Sequence, residues 1–219
     1  MSPSTYVIGN RTASSLQKET GFVNSKIEEC TGQYISIGKM IMALSMNTDL
    51  LSQIVMINNK TVNDGKLSSF FDCAYWKRHA LFNEQAIVIW IYGENFEPCN
   101  ALGAHKTLYK IGAIYYQFEG LPATLQSKTE NIFLALCYHS EDVKTFSWKA
   151  VLRPLISELQ MLESEGLTLS TKDGPVSVKV VTSCVTGDNL FLNGILGFVE
   201  SDFLLVILVN TVLCQSHNF

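Results

Sequence analysis

Two acidic turns carry the chemistry this chain could perform. Tyr92-Gly93-Glu94-Asn95-Phe96-Glu97 follows the apolar run 86–91, and Thr186-Gly187-Asp188-Asn189 follows the valine-rich run 176–185. At the tips of strands in α/β folds, side chains converge on a crevice, and ligands and metals gather there. Carboxylates brought together in that way can hold hard divalent cations, one activating a water and one steadying a leaving oxygen. Glu94 and Asp188 are the candidate catalytic residues, and Glu94, Glu97 and Asp188 the candidate metal ligands. Two ordinary solvated turns are the alternative reading of the same residues. No other chemistry is spelled out: the chain has no P-loop, no G-x-S-x-G, no G-x-G-x-x-G after a strand and no H-E-x-x-H. Cys99 and His105 could suggest a thiol–imidazole pair, but nothing between them orients the two groups.

The elements that would position these turns follow from patterning. Residues 86–92 are apolar throughout, as in a central strand buried on both faces. Residues 111–118 and 131–138 read as two further strands. Val151, Leu152, Leu155, Ile156, Leu159 and Leu162 line one face of a helix, with Gly166 placed as its terminating glycine. Pro154 predicts that this helix begins at Arg153-Pro154 or is kinked there. The stretches 167–169 and 176–185 flank Asp173-Gly174, a hairpin signal. The order strand, strand, strand, helix, strand is that of a ribonuclease H-like α/β sheet. In that fold a three-strand antiparallel meander leads through a crossover helix to a fourth strand parallel to the first, which would set Glu94 beside Asp188.

Upstream, residues 1–32 are rich in Ser, Thr, Asn and Gly and read as a poorly ordered leader. Residues 33–84 read as a small helical segment. Ile37, Met40, Ile41 and Leu44 share one helical face, Asn47 or Thr48 could cap a second helix, and Asn63-Asp64-Gly65 makes a turn. Phe70, Phe71, Tyr75 and Trp76 then form an aromatic cluster suited to packing. The incomplete core spans 85–200, and 201–219 is an atypical apolar tail.

The chain has 219 residues, 47% hydrophobic and 16% charged, with a formal net charge of -4. That composition supports a sizeable core and gives no global electrostatic grip on nucleic acid. Six cysteines without C-x-x-C spacing read as buried free thiols in a reducing compartment. The N-terminus has no secretory pattern, and the apolar run 203–209 is short of the ~20 residues of a membrane span. These features predict an intracellular protein, nuclear or cytoplasmic, with no membrane partner. They leave its oligomeric state open.

The residues around the first turn also carry a likeness. Tyr92-Gly93-Glu94-Asn95-Phe96-Glu97-Pro98-Cys99-Asn100, then His105-Lys106, Tyr109-Lys110 and Tyr115-Tyr116, with Leu121-Pro122, Asn131-Ile132 and Gly187-Asp188-Asn189-Leu190, resemble a family of transposase-derived proteins of animal genomes. The resemblance runs from about residue 34 to 200. It implies a ribonuclease H-like core of DDE type, an ancestral metal-dependent phosphodiester transferase or nuclease using Mg2+ or Mn2+, and DNA as a partner. It also shows departures. The family's paired Asp-Asp before Phe-Glu is Glu94-Asn95 here, which displaces one ligand and removes one charge. A third acid, expected on a later helix, finds no place before residue 219. The family pattern past Gly197-Phe198 is replaced by the apolar tail, which reads as a C-terminal truncation, through a shifted frame or retained intron, or as a core strand. The expectation is a degenerate, catalytically inactive transposase-like domain, or a non-catalytic interaction module.

Overall fold

The computed structural model describes residues 2–16, 23–46, 70–82, 84–98, 110–121, 123–171 and 174–196. Seven strands, β1 (Ser4–Leu16), β2 (Val23–Tyr34), β3 (Ala86–Phe96), β4 (Ile111–Phe118), β5 (Phe133–His139), β6 (Leu167–Thr171) and β7 (Gly174–Gly187), form one mixed sheet in the order β1-β2-β5-β4-β3-β7-β6. The helices are α1 (Ile37–Ser45), α2 (Ala74–Arg78), α3 (Ala123–Gln126), α4 (Ser140–Ser164) and α5 (Asn189–Ile195). No helix among the described residues is long and apolar enough to cross a membrane.

β3, β4 and β5 are joined as an antiparallel meander, Tyr92 lying opposite Tyr115 and Ala113 opposite Cys137. The chain then passes through α4 and the β6–β7 hairpin, and β7 lies parallel to β3 with Tyr92 beside Thr186 and Gly93 beside Gly187. The strand expected at 111–118 has those bounds, and its neighbours are shifted or extended by a few residues.

The leader is a correction. Residues 4–16 and 23–34 form a long hairpin that joins the sheet through β5. Its strands pack on one side only. Ile8 and Cys30 are buried, the Tyr6 hydroxyl donates to the Val151 carbonyl at 2.7 Å, and Arg153 donates to the Val7 carbonyl at 2.8 Å. A strand with one wet face needs large apolar side chains at only half its positions, so its composition looks like that of a loop.

Within 33–84 the described residues hold the end of β2 and two separate short helices, α1 and α2. The second helix from Thr48 and the turn at 63–65 lie outside the described residues, as do Cys99, His105, Gly197, Phe198 and the tail. Ser36 caps α1, its side chain accepting from the Lys39 N–H at 3.1 Å. Glu158 of α4 reaches the same helix end. It accepts from the Ile37 and Gly38 N–H groups at 2.9 and 3.3 Å and from the Tyr34 and Ser36 hydroxyls. A carboxylate there satisfies orphan donors and sits at the favourable end of the helix dipole.

The crossover helix starts earlier than expected, at Ser140, and runs through Pro154. Its irregularity is at Ser147, with φ 74 and ψ 160. The turn there sends Phe146 over Gly9 of β1, while Trp148 packs edge-on to Phe191 at 5.3 Å between centroids. Tertiary packing therefore places the break, and Pro154 does not. Gly166 terminates α4 with φ +75, as the glycine signal indicated, and a Cβ there would meet the Val178 carbonyl oxygen at 2.5 Å.

Candidate functional site

The ends of β3 and β7 can be neighbours because neither carries a side chain at the closest approach. Gly93 and Gly187 sit side by side, and the ring of Phe191 covers both; a Cβ on either glycine would fall inside that ring's contact distance. Asp188 ends β7 and caps α5, Oδ1 accepting from the Phe191 N–H at 2.6 Å. The sequence signal for this junction is thus a cap followed by a buried aromatic, and Asp188 has a structural duty that accounts for one of its oxygens.

The two residues of the first acidic turn diverge. Side chains along a strand alternate between faces. Glu94 shares the face of Trp90 and Tyr92, and its Oε2 accepts from the Tyr92 hydroxyl at 3.3 Å. Asn95 shares the face of Gly93, toward α4, where its Oδ1 accepts from the Ser140 hydroxyl at 2.7 Å. Glu97 lies past the end of β3, half-buried. The backbones that carry Glu94 and Asp188 are therefore adjacent, as expected. Yet no group of three or more His, Cys, Asp or Glu side chains that could hold a metal ion is found among the described residues. The expected trio Glu94, Glu97 and Asp188 does not gather into a ligand set. Its members are dispersed by strand alternation, by the cap, and by the end of the strand.

Asp188 is felt on both faces. Burial, then the Glu94 charge and hydrogen bond, and last Asp188, push the Tyr92 phenol above its ordinary value. On the α4 side, burial pushes the Tyr138 phenol up, and Asp188 adds to it. The Tyr138 hydroxyl is buried without a hydrogen-bond partner, and its ring covers Gly112, the cross-strand neighbour of Asn95.

The face carrying Glu94 holds a cleft that sequence reasoning missed. It encloses about 510 Å³ and is lined by Trp90, Tyr92, Glu94, Tyr115, Gln117 and Ile132, among others. Lower on the same face, Val88 and Val181 are covered by Phe71, Trp76 and Leu81, so the aromatic cluster of 70–76 packs as expected. The cleft begins where that cover stops. Its signal is the alternation of large polar-tipped side chains, 90 with 92 in a run that reads as buried on both faces and 115 with 117 in the next strand.

The thiols of Cys30, Cys73, Cys137 and Cys184 are free. No protein-family model matches this chain, and no curated protein matches it.

Proposed function

We propose that this chain is a transposon-derived, DNA transposase-like domain with a ribonuclease H-like core that no longer catalyses phosphodiester chemistry. One observation carries the reading: a three-strand meander is followed by a helix and a strand that returns parallel to the first, setting the two acidic turns at adjoining strand ends. That arrangement, together with the resemblance of residues 34–200, supports the ancestry. The site chemistry supports the loss. A hard divalent ion takes six or more oxygen ligands, several of them charged. Here Asn95 brings an amide, Glu94 faces away from it, and Asp188 spends one oxygen on a helix cap. Mg2+ or Mn2+ would belong to the ancestral site, with Glu94, Glu97 and Asp188 as its nearest surviving acids, and the present donor set does not fit such an ion. DNA is a partner by resemblance alone, and the net charge of -4 does not favour it.

A cleavage assay on labelled duplex DNA with Mg2+ or Mn2+, run beside Asp188→Asn, tests the reading. The expected result is no metal-dependent product from either protein. Cleavage by the native chain that disappears in Asp188→Asn would show a working nuclease. The second reading, a non-catalytic interaction module of α/β fold, is favoured by the aromatic cleft beside Glu94.

A further inference from the structure

We infer that the cleft beside β3 and β4 is a binding site for a small organic cation, an alkylammonium group of the quaternary kind, held by the faces of Trp90, Tyr92 and Tyr115 with Glu94 as its counter-charge. The cleft's volume of about 510 Å³ is that of a small-molecule site, ~300–1,000 Å³. Three aromatic side chains stand on one face of two paired strands, Tyr92 directly opposite Tyr115 and Trp90 directly opposite Gln117. Ring faces carry negative potential and attract cations lying within ~6 Å, Trp most strongly.

The polar groups select the charge of the ligand. Glu94 is the charged side chain at this cleft among the described lining residues. Gln117 turns one of its two amide N–H donors to the Gln126 carbonyl at 2.9 Å, away from a ligand in the cleft, and its side chain is buried. An anion would meet Glu94, with Asp188 close enough to act on Tyr92 as well. A neutral apolar ligand would strip water from the Glu94 carboxylate, whose hydrogen-bond partner among the described residues is the Tyr92 hydroxyl at 3.3 Å. A cation satisfies the carboxylate and the ring faces together. A compact, strongly hydrated metal ion is the poorer match, since the cleft offers one carboxylate and mostly carbon, whereas hard ions take oxygen ligands. A quaternary ammonium is weakly hydrated and presents methyl groups to the rings.

This site shares Glu94 with the ancestral metal reading but lies on the face opposite Asn95, and its test runs with a chelator present throughout. Choline chloride and its neutral isostere 3,3-dimethyl-1-butanol are titrated against the full chain at matched ionic strength, with saturation-transfer NMR reporting contact and the indole signal of Trp90 reporting the site. Choline is expected to bind and the isostere to bind at least about tenfold more weakly. Glu94→Gln, which keeps the side chain's shape, is expected to erase most of that difference. Tyr115→Leu is expected to weaken choline by a similar factor, while Tyr115→Phe keeps it. Circular dichroism of each variant separates loss of binding from loss of fold. Equal binding of choline and the isostere, no saturable binding of choline, or undiminished selectivity in Glu94→Gln would each overturn the proposal.

Discussion

Alternate residues of β3 belong to two different kinds of protein surface. Ile87, Ile89, Ile91 and Gly93 lie under α4 and α5, where Phe191 is fully buried and glycines at 93 and 187 let its ring touch backbone. Val88, Trp90, Tyr92 and Glu94 run along the other face. That face is sealed at one end by Phe71 and Trp76 and opens at the other into an aromatic cleft. One strand thus packs a closed core on its odd residues and, beyond the buried Val88, lines an open cleft on its even ones. The same alternation divides the turn at the strand's end. Glu94 and Asn95 are adjacent in sequence but chemically belong to opposite faces, so a carboxylate at one position does not substitute for a carboxylate at the other.

Truncation on the closed face is expected to have the largest effect. Phe191→Ala removes a side chain that is 0% exposed and should cost about 3–5 kcal/mol, read from urea denaturation. Trp90→Ala, a larger deletion but of a half-buried side chain at the open cleft, should cost about 1 kcal/mol. Comparable losses would erase the distinction between the faces.

Glu158 comes next. Its carboxylate meets the Tyr34 and Ser36 hydroxyls and two N–H groups of α1. Glu158→Ala leaves those donors without their acceptor and should cost about 2–3 kcal/mol. A loss of only a few tenths would mean that water replaces it freely.

Two backbone positions sharpen the comparison on a smaller scale. Ser147 holds φ 74 and ψ 160, a region nearly reserved for glycine, so Ser147→Gly should raise stability by about 1 kcal/mol. Asp188→Ala should lower it by about 1 kcal/mol through loss of the α5 cap, whereas Asp188→Asn, which also caps, should change it by only about a few tenths.

The smallest effect at neutral pH becomes the largest in alkali. Burial pushes the phenols of Tyr6, Tyr34, Tyr116 and Tyr138 above the ordinary 10.0. Their folded values exceed their unfolded ones, so the stability tied to the neutral phenol is complete below about pH 10 and is lost as the pH rises beyond it. Alkaline unfolding followed at 295 nm should therefore coincide with ionisation of most tyrosines, and Tyr138→Phe should shift that transition upward. Ionisation of all tyrosines before any loss of circular dichroism would contradict the closed packing.

Much of the closed half was legible. Residues 86–91 are apolar throughout and 111–118 largely so, and Gly166 marks a helix end with φ +75 where a Cβ would meet the Val178 carbonyl oxygen. What failed has physical causes. The β1–β2 hairpin buries one side of each strand, so Thr5, Asn10 and Glu28 dilute the pattern to that of a loop. Pro154 drew the helix boundary toward itself, although Ser147 takes the strain because Phe146 and Trp148 must reach different neighbours. At the site, the two strand ends could be placed side by side from the order of elements. Which face each side chain takes depends on register and alternation, and the cap duty of Asp188 depends on α5. Neither is visible in residue types alone.

If the strand ends of β3 and β7 are the remnant of one acidic site, as proposed, its missing charge is at residue 95, on the face of Gly93. Mn2+ binding followed by electron paramagnetic resonance in Asn95→Asp tests it most directly. The account predicts that this variant binds Mn2+ about tenfold more tightly than the native chain, and that adding Asp188→Asn removes the gain. An unchanged affinity in Asn95→Asp, or a gain that survives the loss of the Asp188 charge, would contradict it.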